Sequence, residues 1–349
     1  MITDGLKLTS YFGERQRVGG TPGAKGQFVA DALAGLYGRN QVAASILLRG
    51  AEGFGLKHRL RTDLSLSLSE DLPLTAIAVD ERARIEALAP EAVRLTGSGL
   101  VTLERARLLT GDLDGHAAEG NGGAAKVTIY LGRQERVYRV PAFVAVCDLL
   151  HRRGIDGATA LLGVDGTAHG RRERALFFSR NAEVPMMIIA VGAESRITRV
   201  LPELDGLLAR PLVTVEKVVI GKRDGQLLGP PDGAAVADGE PCWQKLMVYT
   251  SAAARADGQP IHRAIVRRLR TAGLSGATTQ LGIWGFHGDH APHGDRPLQL
   301  TRHVPAVTSV IDRPERIATA FAVIDELTTE TGLVTSENVP ARFRPGDDS

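Results

Sequence analysis

The sequence predicts an α+β chain in which one plan is written three times. Three observations carry this. A short aliphatic strand runs into a Gly-x-x-Gly turn at Val42–Gly55 (VAASILLRGAEGFG), Ile155–Gly166 and Leu274–Gly285, giving the pairs Gly50/Gly53, Gly163/Gly166 and Gly282/Gly285. A Lys-x-x-x-Tyr strand begins at Lys7, Lys126 and Lys245, at equal intervals of 119 residues. A proline-led strand (Pro73, Pro185, Pro305) and then Leu-Val-Thr-x-Glu (ending at Glu104, Glu216, Glu337) follow each time in the same order. Recurrence over a hundred residues or more means whole domains rather than solenoid units.

In the first repeat, Leu6–Phe12 reads as a strand. Thr21 and Pro22 supply a helix start, with Thr as cap and Pro in the first turn. Phe28, Val29, Ala32, Leu33 and Leu36 follow at helical spacing. Val42–Arg49 is the central strand. Behind its glycine turn lies a polar arm, Leu56–Asp71, whose LSLSLS stretch (64–69) alternates like the exposed half of a hairpin. Pro73 opens the next strand, where a missing amide is tolerated. Asp80 caps a second helix carrying Ile85 and Leu88, Gly97 and Gly99 end it, and Leu100–Leu108 is the last strand.

The second repeat gives the same order: Lys126–Leu131, a helix from Pro141, Ala158–Leu162, Pro185–Val191, a helix over 194–208 and Leu212–Ile220. The third gives Lys245–Thr250, a helix from Pro260, Ala277–Ile283, Pro305–Ile311, a helix over 313–330 and Leu333–Glu337. This β-α-β-β-α-β order is the ferredoxin-like plan. The repeats fall at 5–110, 125–223 and 242–343. The segments 111–124 and 224–241, rich in Gly, Pro and Ala, read as flexible, exposed linkers.

Composition narrows the class. Hydrophobic residues make up 43% and charged residues 23%, the balance of a soluble globular protein. The 42 basic and 40 acidic residues nearly cancel, which argues against a chain that coats nucleic acid. Cys147 and Cys242 form no motif, and Cys147 sits in an apolar helical stretch, where a buried, inert thiol is expected. The start shows no secretory pattern and no apolar run reaches membrane length, so a cytoplasmic location is expected.

The runs SYFGERQR (10–17), RGAEGFGLKH (49–58) and LSEDLPL (68–74) resemble the bacterial family called "domain of unknown function one-ninety". That family is similar to the nitrogen-regulatory PII signalling proteins and to CutA. The second repeat keeps Gly132-Arg-Gln-Glu-Arg136 and the glycine pair. The third has Ser251-Ala-Ala253 where the first motif should be. PII-like proteins are homotrimers, so three tandem copies imply an intrachain pseudo-trimer that is monomeric as a chain. A covalently linked neighbour sits at an effective concentration on the order of millimolar, which favours assembly within the chain.

The resemblance also implies a ligand and a partner. In PII-like proteins the arm after the second strand is the effector loop, and its base holds an adenine nucleotide against the neighbouring subunit. The matching positions are Arg49, Gly50, Gly53 and Gly55, with Lys57, His58, Arg59 and Arg61 on the arm. In the second repeat they are Gly163, Gly166, Arg171, Arg172 and Arg174. Glycines let amides converge on an anion, and guanidinium or ammonium groups add charge-assisted bonds to phosphate. A solvated basic loop on a tight turn explains the same residues. Arg15 and Arg17, with Arg133 and Arg136, line a cleft or sit on the surface. Gly97 and Gly99 match a second nucleotide-contacting loop but lack its lysine, for which Arg105 and Arg107 are candidate substitutes. The resemblance points to a membrane channel or transporter as partner.

A rival reading comes from the third repeat's arm. His287, His290 and His293 lie close enough in sequence to ligate zinc or copper, as a CutA-like metal-binding protein would, although Gly and Pro interrupt them. Trp284 and Phe286 on that turn are expected to pack on a neighbour, stack on a base or meet a partner, and Trp243 to lie in the core. No nucleophile elbow or carboxylate pair stands out, so no catalytic residues and no enzyme activity are expected. A third reading is an interaction module with empty clefts. Glu104, Glu216 and Glu337 are expected to form structural salt bridges.

Overall fold

The structure is a computed structural model that describes residues 2–19, 26–55, 57–63, 71–111, 113, 122–168, 171–174, 184–231, 243–288, 290–294 and 304–343. The first repeat runs β1 (Ile2–Gly13), α1 (Val29–Arg39), β2 (Ala44–Arg49), β3 (Glu52–Phe54), β4 (Pro73–Glu81), α2 (Arg82–Thr96) and β5 (Leu100–Thr110). The second runs β6 (Ala124–Gly132), α3 (Ala142–Arg152), β7 (Gly157–Leu162), β8 (Asp165–Ala168), β9 (Pro185–Ala193), α4 (Glu194–Leu207) and β10 (Leu212–Arg223). The third runs β11 (Trp243–Ser251), α5 (Ile261–Thr271), β12 (Ala277–Leu281), β13 (Trp284–His287), β14 (Pro305–Asp312), α6 (Pro314–Leu327), β15 (Leu333–Val339) and β16 (Ala341–Phe343). Six helices and a 20-stranded antiparallel sheet result among the described residues.

Helix starts differ from expectation by a residue or more. Helix α1 begins at Val29 behind Phe28, and Thr21 and Pro22 lie outside the described residues. The cap of α2 is Glu81, not Asp80. Asp80 stands one place earlier, where its carboxylate accepts the amides of Ala43 at 2.9 Å and Glu81 at 2.8 Å, tying β2 to the helix start. Asp312 does the same in the third repeat, accepting from Ser275 and Arg313. The segment from 224 is not all free linker. Gln226–Leu227 folds back on β10 as a short hairpin, and the Asp224 amide donates to the Gly332 carbonyl of the third repeat. The LSLSLS stretch lies outside the described residues.

The repeats are joined by strand exchange in a closed cycle. β3 of repeat one pairs with β12 of repeat three, β8 of repeat two with β2 of repeat one, and β13 of repeat three with β7 of repeat two. The last strands close the same cycle. The end of β5 meets the start of β10, the end of β10 meets β15, and β16 returns to β5.

This explains why the central strands read as unbroken apolar runs rather than alternating ones. One face of each sheet packs on its own helices. The other joins a shared core built from all three repeats, including Ile46, Leu161, Met187, Met247 and Val307. Exchange also plants side chains in foreign cores. Phe54 of repeat one sits in the core of repeat three, and Phe286 of repeat three in that of repeat two, edge-on to His151. Cys147 is buried, and burial pushes its thiol pKa up.

Candidate functional site

The exchange assigns the glycine pairs a task. A Cβ on Gly53 would stand 2.6 Å from the Ala277 carbonyl oxygen, on Gly166 2.2 Å from that of Ser45, and on Gly285 2.2 Å from that of Ala158. No side chain fits where a neighbouring backbone comes that close. The turn amides are engaged as well. Those of Gly50 and Gly163 donate to Pro73 and Pro185, and those of Ala51, Val164 and Ile283 cross to Thr279, Leu47 and Ala160. These amides are therefore not free to converge on an anion.

A cavity of about 460 Å³ lies at the junction of repeats one and three. Repeat one contributes Phe12, Gly13 and Gln16 from β1 and the turn after it, Phe54, Gly55, Lys57, Arg59 and Arg61 from the arm, and Ser98–Leu100 behind α2. Repeat three contributes Ser275–Thr278, Ser309 and Ile311. Phe54, Ala277 and Ile311 give it apolar surface, and the arm gives it cations. Arg61 is paired with Asp71 at 2.9 Å. Among the described residues, Lys57 and Arg59 have no carboxylate partner.

Other candidates fall outside this cavity. Arg49 pairs with Glu14 at 3.0 Å on the surface, and Arg17 lies over the Phe28 ring at 3.9 Å. Arg15 is exposed, its amide bonded to Asp71. His58 takes a left-handed backbone (φ 49°) and stacks on Phe54. Arg105 and Arg107 lie on β5 away from the cavity, and Arg107 faces Glu194 of repeat two at 3.6 Å. Gly163 and Gly166 sit in the junction of repeats one and two. Arg171 and Arg172 are in a short strand paired with β8, their side chains outside the described residues. Sequence reasoning missed the repeat-three wall. Its plain Ser-Gly-Ala-Thr carries no charge or motif to mark it.

Beside the cavity, Glu52 of β3 is fully buried, and neither carboxylate oxygen accepts a hydrogen bond. Burial raises its pKa to about 7, although Arg263 at 3.8 Å and Arg267 at 3.7 Å pull the other way. His262 at the start of α5 is buried with both ring nitrogens unpartnered, and burial lowers its pKa to about 4.

At the centre the three recurring lysines and glutamates form one closed ring. Within repeats, Lys7 meets Glu104 at 2.8 Å, Lys126 meets Glu216 at 3.3 Å and Lys245 meets Glu337 at 3.3 Å. Across repeats, Lys7 meets Glu216, Lys126 meets Glu337 and Lys245 meets Glu104. All six are buried. Burial alone would raise the Glu104 carboxyl, but Lys245, Lys7 and Lys126 hold it well below the usual range. The three carboxylates converge within 4.8 Å. Ammonium groups already stand between them, so the ring is charge-balanced.

The third repeat's arm brings His287 and His290 together, ring centres 5.3 Å apart, beside Asp224. Trp284 and Phe286 pack on the core of repeat two. Trp243 is half-buried under the Arg313 guanidinium rather than in the core. No helix among the described residues is long and apolar enough to cross a membrane.

Three copies of one plan with exchanged strands define a tandem-repeat α+β protein. The chain belongs to the family DUF190, described as "Uncharacterized ACR, COG1993", which matches three times, over residues 5–108, 124–220 and 243–341. A "UPF0166 protein" of Aquifex aeolicus (strain VF5) is 29% identical over 94 residues, which is 27% of this chain and 88% of that protein. One copy of the plan here is thus similar to nearly all of that relative.

Proposed function

We propose that the three repeats are ferredoxin-like domains forming an intrachain pseudo-trimer, complete as a single chain. In this reading the chain is a PII-like regulatory protein that binds a small anionic ligand of the adenine-nucleotide class. The observation that supports it best is the cavity between repeats one and three. At about 460 Å³ it lies within the usual range for small-molecule sites, and it joins apolar walls to a few polar groups. Phe54, Ala277 and Ile311 offer a base-sized apolar surface. Lys57, Arg59 and Arg61 suit phosphate oxygens.

The cavity walls come from two repeats, and the cations ride on the arm. A bound ligand would tie the base of the arm to repeat three. Ordering a segment in this way is a recognised mode of switching. The partner in this reading is a membrane channel or transporter that reads the arm.

The test is a thermal-shift and calorimetric panel of ATP, ADP, AMP and cyclic nucleotides on the purified chain. A ligand specific for the folded state raises the melting temperature by mass action. Nucleotide binding that drops about tenfold or more in Lys57→Ala/Arg59→Ala is the expected result. Absence of any shift, or an affinity unmoved by that double variant, overturns the reading.

A further inference from the structure

We propose that the junction of repeats two and three binds a divalent transition-metal ion of the zinc class through His287 and His290 of repeat three and Asp224, the residue that follows repeat two. The site is independent of the nucleotide cavity, which lies at the junction of repeats one and three.

His287 ends β13, where it pairs with Gly157 of repeat two. The residue is 5% exposed, and its Nδ1 has no hydrogen-bond partner. That nitrogen faces Asp224 Oδ1 at 3.8 Å. The gap is too long for a hydrogen bond. Two donors of a tetrahedral zinc, each about 2.0–2.1 Å from the ion, stand roughly 3.3 Å apart, so a small closure brings both within reach.

Asp224 is held in place by its surroundings. It occupies a left-handed turn position (φ 46°), and its amide donates to Gly332 in repeat three. The next turn of the arm fits around it. Gly288 has φ 58°, and a Cβ there would stand 2.4 Å from Asp224 Oδ2. Gly288 is itself fixed, its amide donating to the Asp156 carbonyl. A carboxylate and a buried imidazole are thus set face to face by backbone contacts from two repeats.

The arm supplies further donors. His290 is exposed and crosses the His287 ring nearly at right angles (74°). In the proposed site its side chain turns so that a ring nitrogen faces the gap. His293 stands 3.0 Å from the Ala291 carbonyl through Nδ1. A carbonyl only accepts, so Nδ1 is the donor in this contact and Nε2 is the nitrogen left to face a metal. Metal-ligating histidines are commonly oriented in this way. The site belongs to one junction only, since the position of His287 is Gly55 in repeat one and Ala168 in repeat two.

The test is titration of the untagged full chain with zinc chloride alone, followed by calorimetry, and with cobalt(II) followed by its visible absorption. The expected result is one equivalent bound, with a tetrahedral-type cobalt spectrum. Asp224→Asn and His290→Ala should each weaken zinc about tenfold or more. Both side chains reach solvent, so the metal-free melting temperature should hold and verify the fold. No stoichiometric binding, or binding that both variants leave unchanged, overturns the proposal. Nucleotide binding should be indifferent to either substitution.

Discussion

Lys245 of repeat three and Glu104 of repeat one meet at 3.0 Å in the centre of the molecule, although they lie 141 positions apart with a whole repeat between them. Each is also bonded within its own repeat, to Glu337 and Lys7. The ring therefore couples all three repeats through fully buried charge. Removing one member strands its partners, which costs about 3–5 kcal/mol for a buried pair. Removing a lysine and a glutamate together leaves a balanced chain of four. Glu104→Gln and Lys245→Met should each lower urea-unfolding stability by about that amount, and the double variant by clearly less than the sum. Additive losses would mean that the contact carries no coupling.

The glycine turns yield a sharper contrast. An alanine at Gly166 would push into the Ser45 carbonyl oxygen and the Ile46 backbone, neither of which can swing away. An alanine at Gly55 meets nothing within 4 Å. Gly166→Ala should cost about 1–3 kcal/mol, as overpacking does. Gly55→Ala should stay within about 0.5 kcal/mol. Equal effects in denaturant titration would refute the assignment of the glycine pair to close approach between repeats.

These two cases show what was legible in the sequence. The element order, the three copies and the lysine–glutamate recurrence could all be read, because they follow from period and spacing. The glycine pair could be seen but not explained. Its reason lies in a strand more than a hundred residues away, and local sequence carries no mark of that strand. The same holds for the cavity. Lys57, Arg59 and Arg61 could be picked out as cations on an arm, but Ser275–Thr278 on the opposite wall are small neutral residues with no signature. Asp224 reads as part of a linker and becomes informative only beside His287. Arg17 shows the converse limit, since a cation near the right motif is spent on a stack with Phe28.

Strand exchange predicts that damage in one repeat appears in another. Phe286 belongs to repeat three by sequence but lies buried in the core of repeat two, against His151 of α3. Phe286→Ala should cost about 3–5 kcal/mol. Its signature should be faster amide hydrogen exchange across α3 (142–152), in a repeat that carries no substitution. Loss of protection confined to repeat three would contradict the packing.

Glu52 and His262 should give opposite dependences on pH. Glu52 has a folded pKa of about 7 against an ordinary 4.5, so between those values the folded state holds more protons than the unfolded one. Its contribution to stability then falls as pH rises through that window, by up to about 3 kcal/mol. His262 has a folded pKa of about 4 against 6.5, so there the unfolded state holds more protons. Its contribution is lost as pH falls from about 6.5 to 4, by a similar amount. From pH 4.5 to 6.5 the two slopes largely cancel in the intact chain. Substitution should separate them. Measured as the difference from the unaltered chain, the melting temperature of Glu52→Gln should climb as pH rises from 4.5 to 7, because the amide never has to ionise. That of His262→Asn should instead climb as pH falls from 6.5 to 4. Groups elsewhere titrate equally in variant and parent and drop out of these differences. Two difference curves of the same sign, or two flat ones, would show that these buried groups do not hold the protonation states assigned to them.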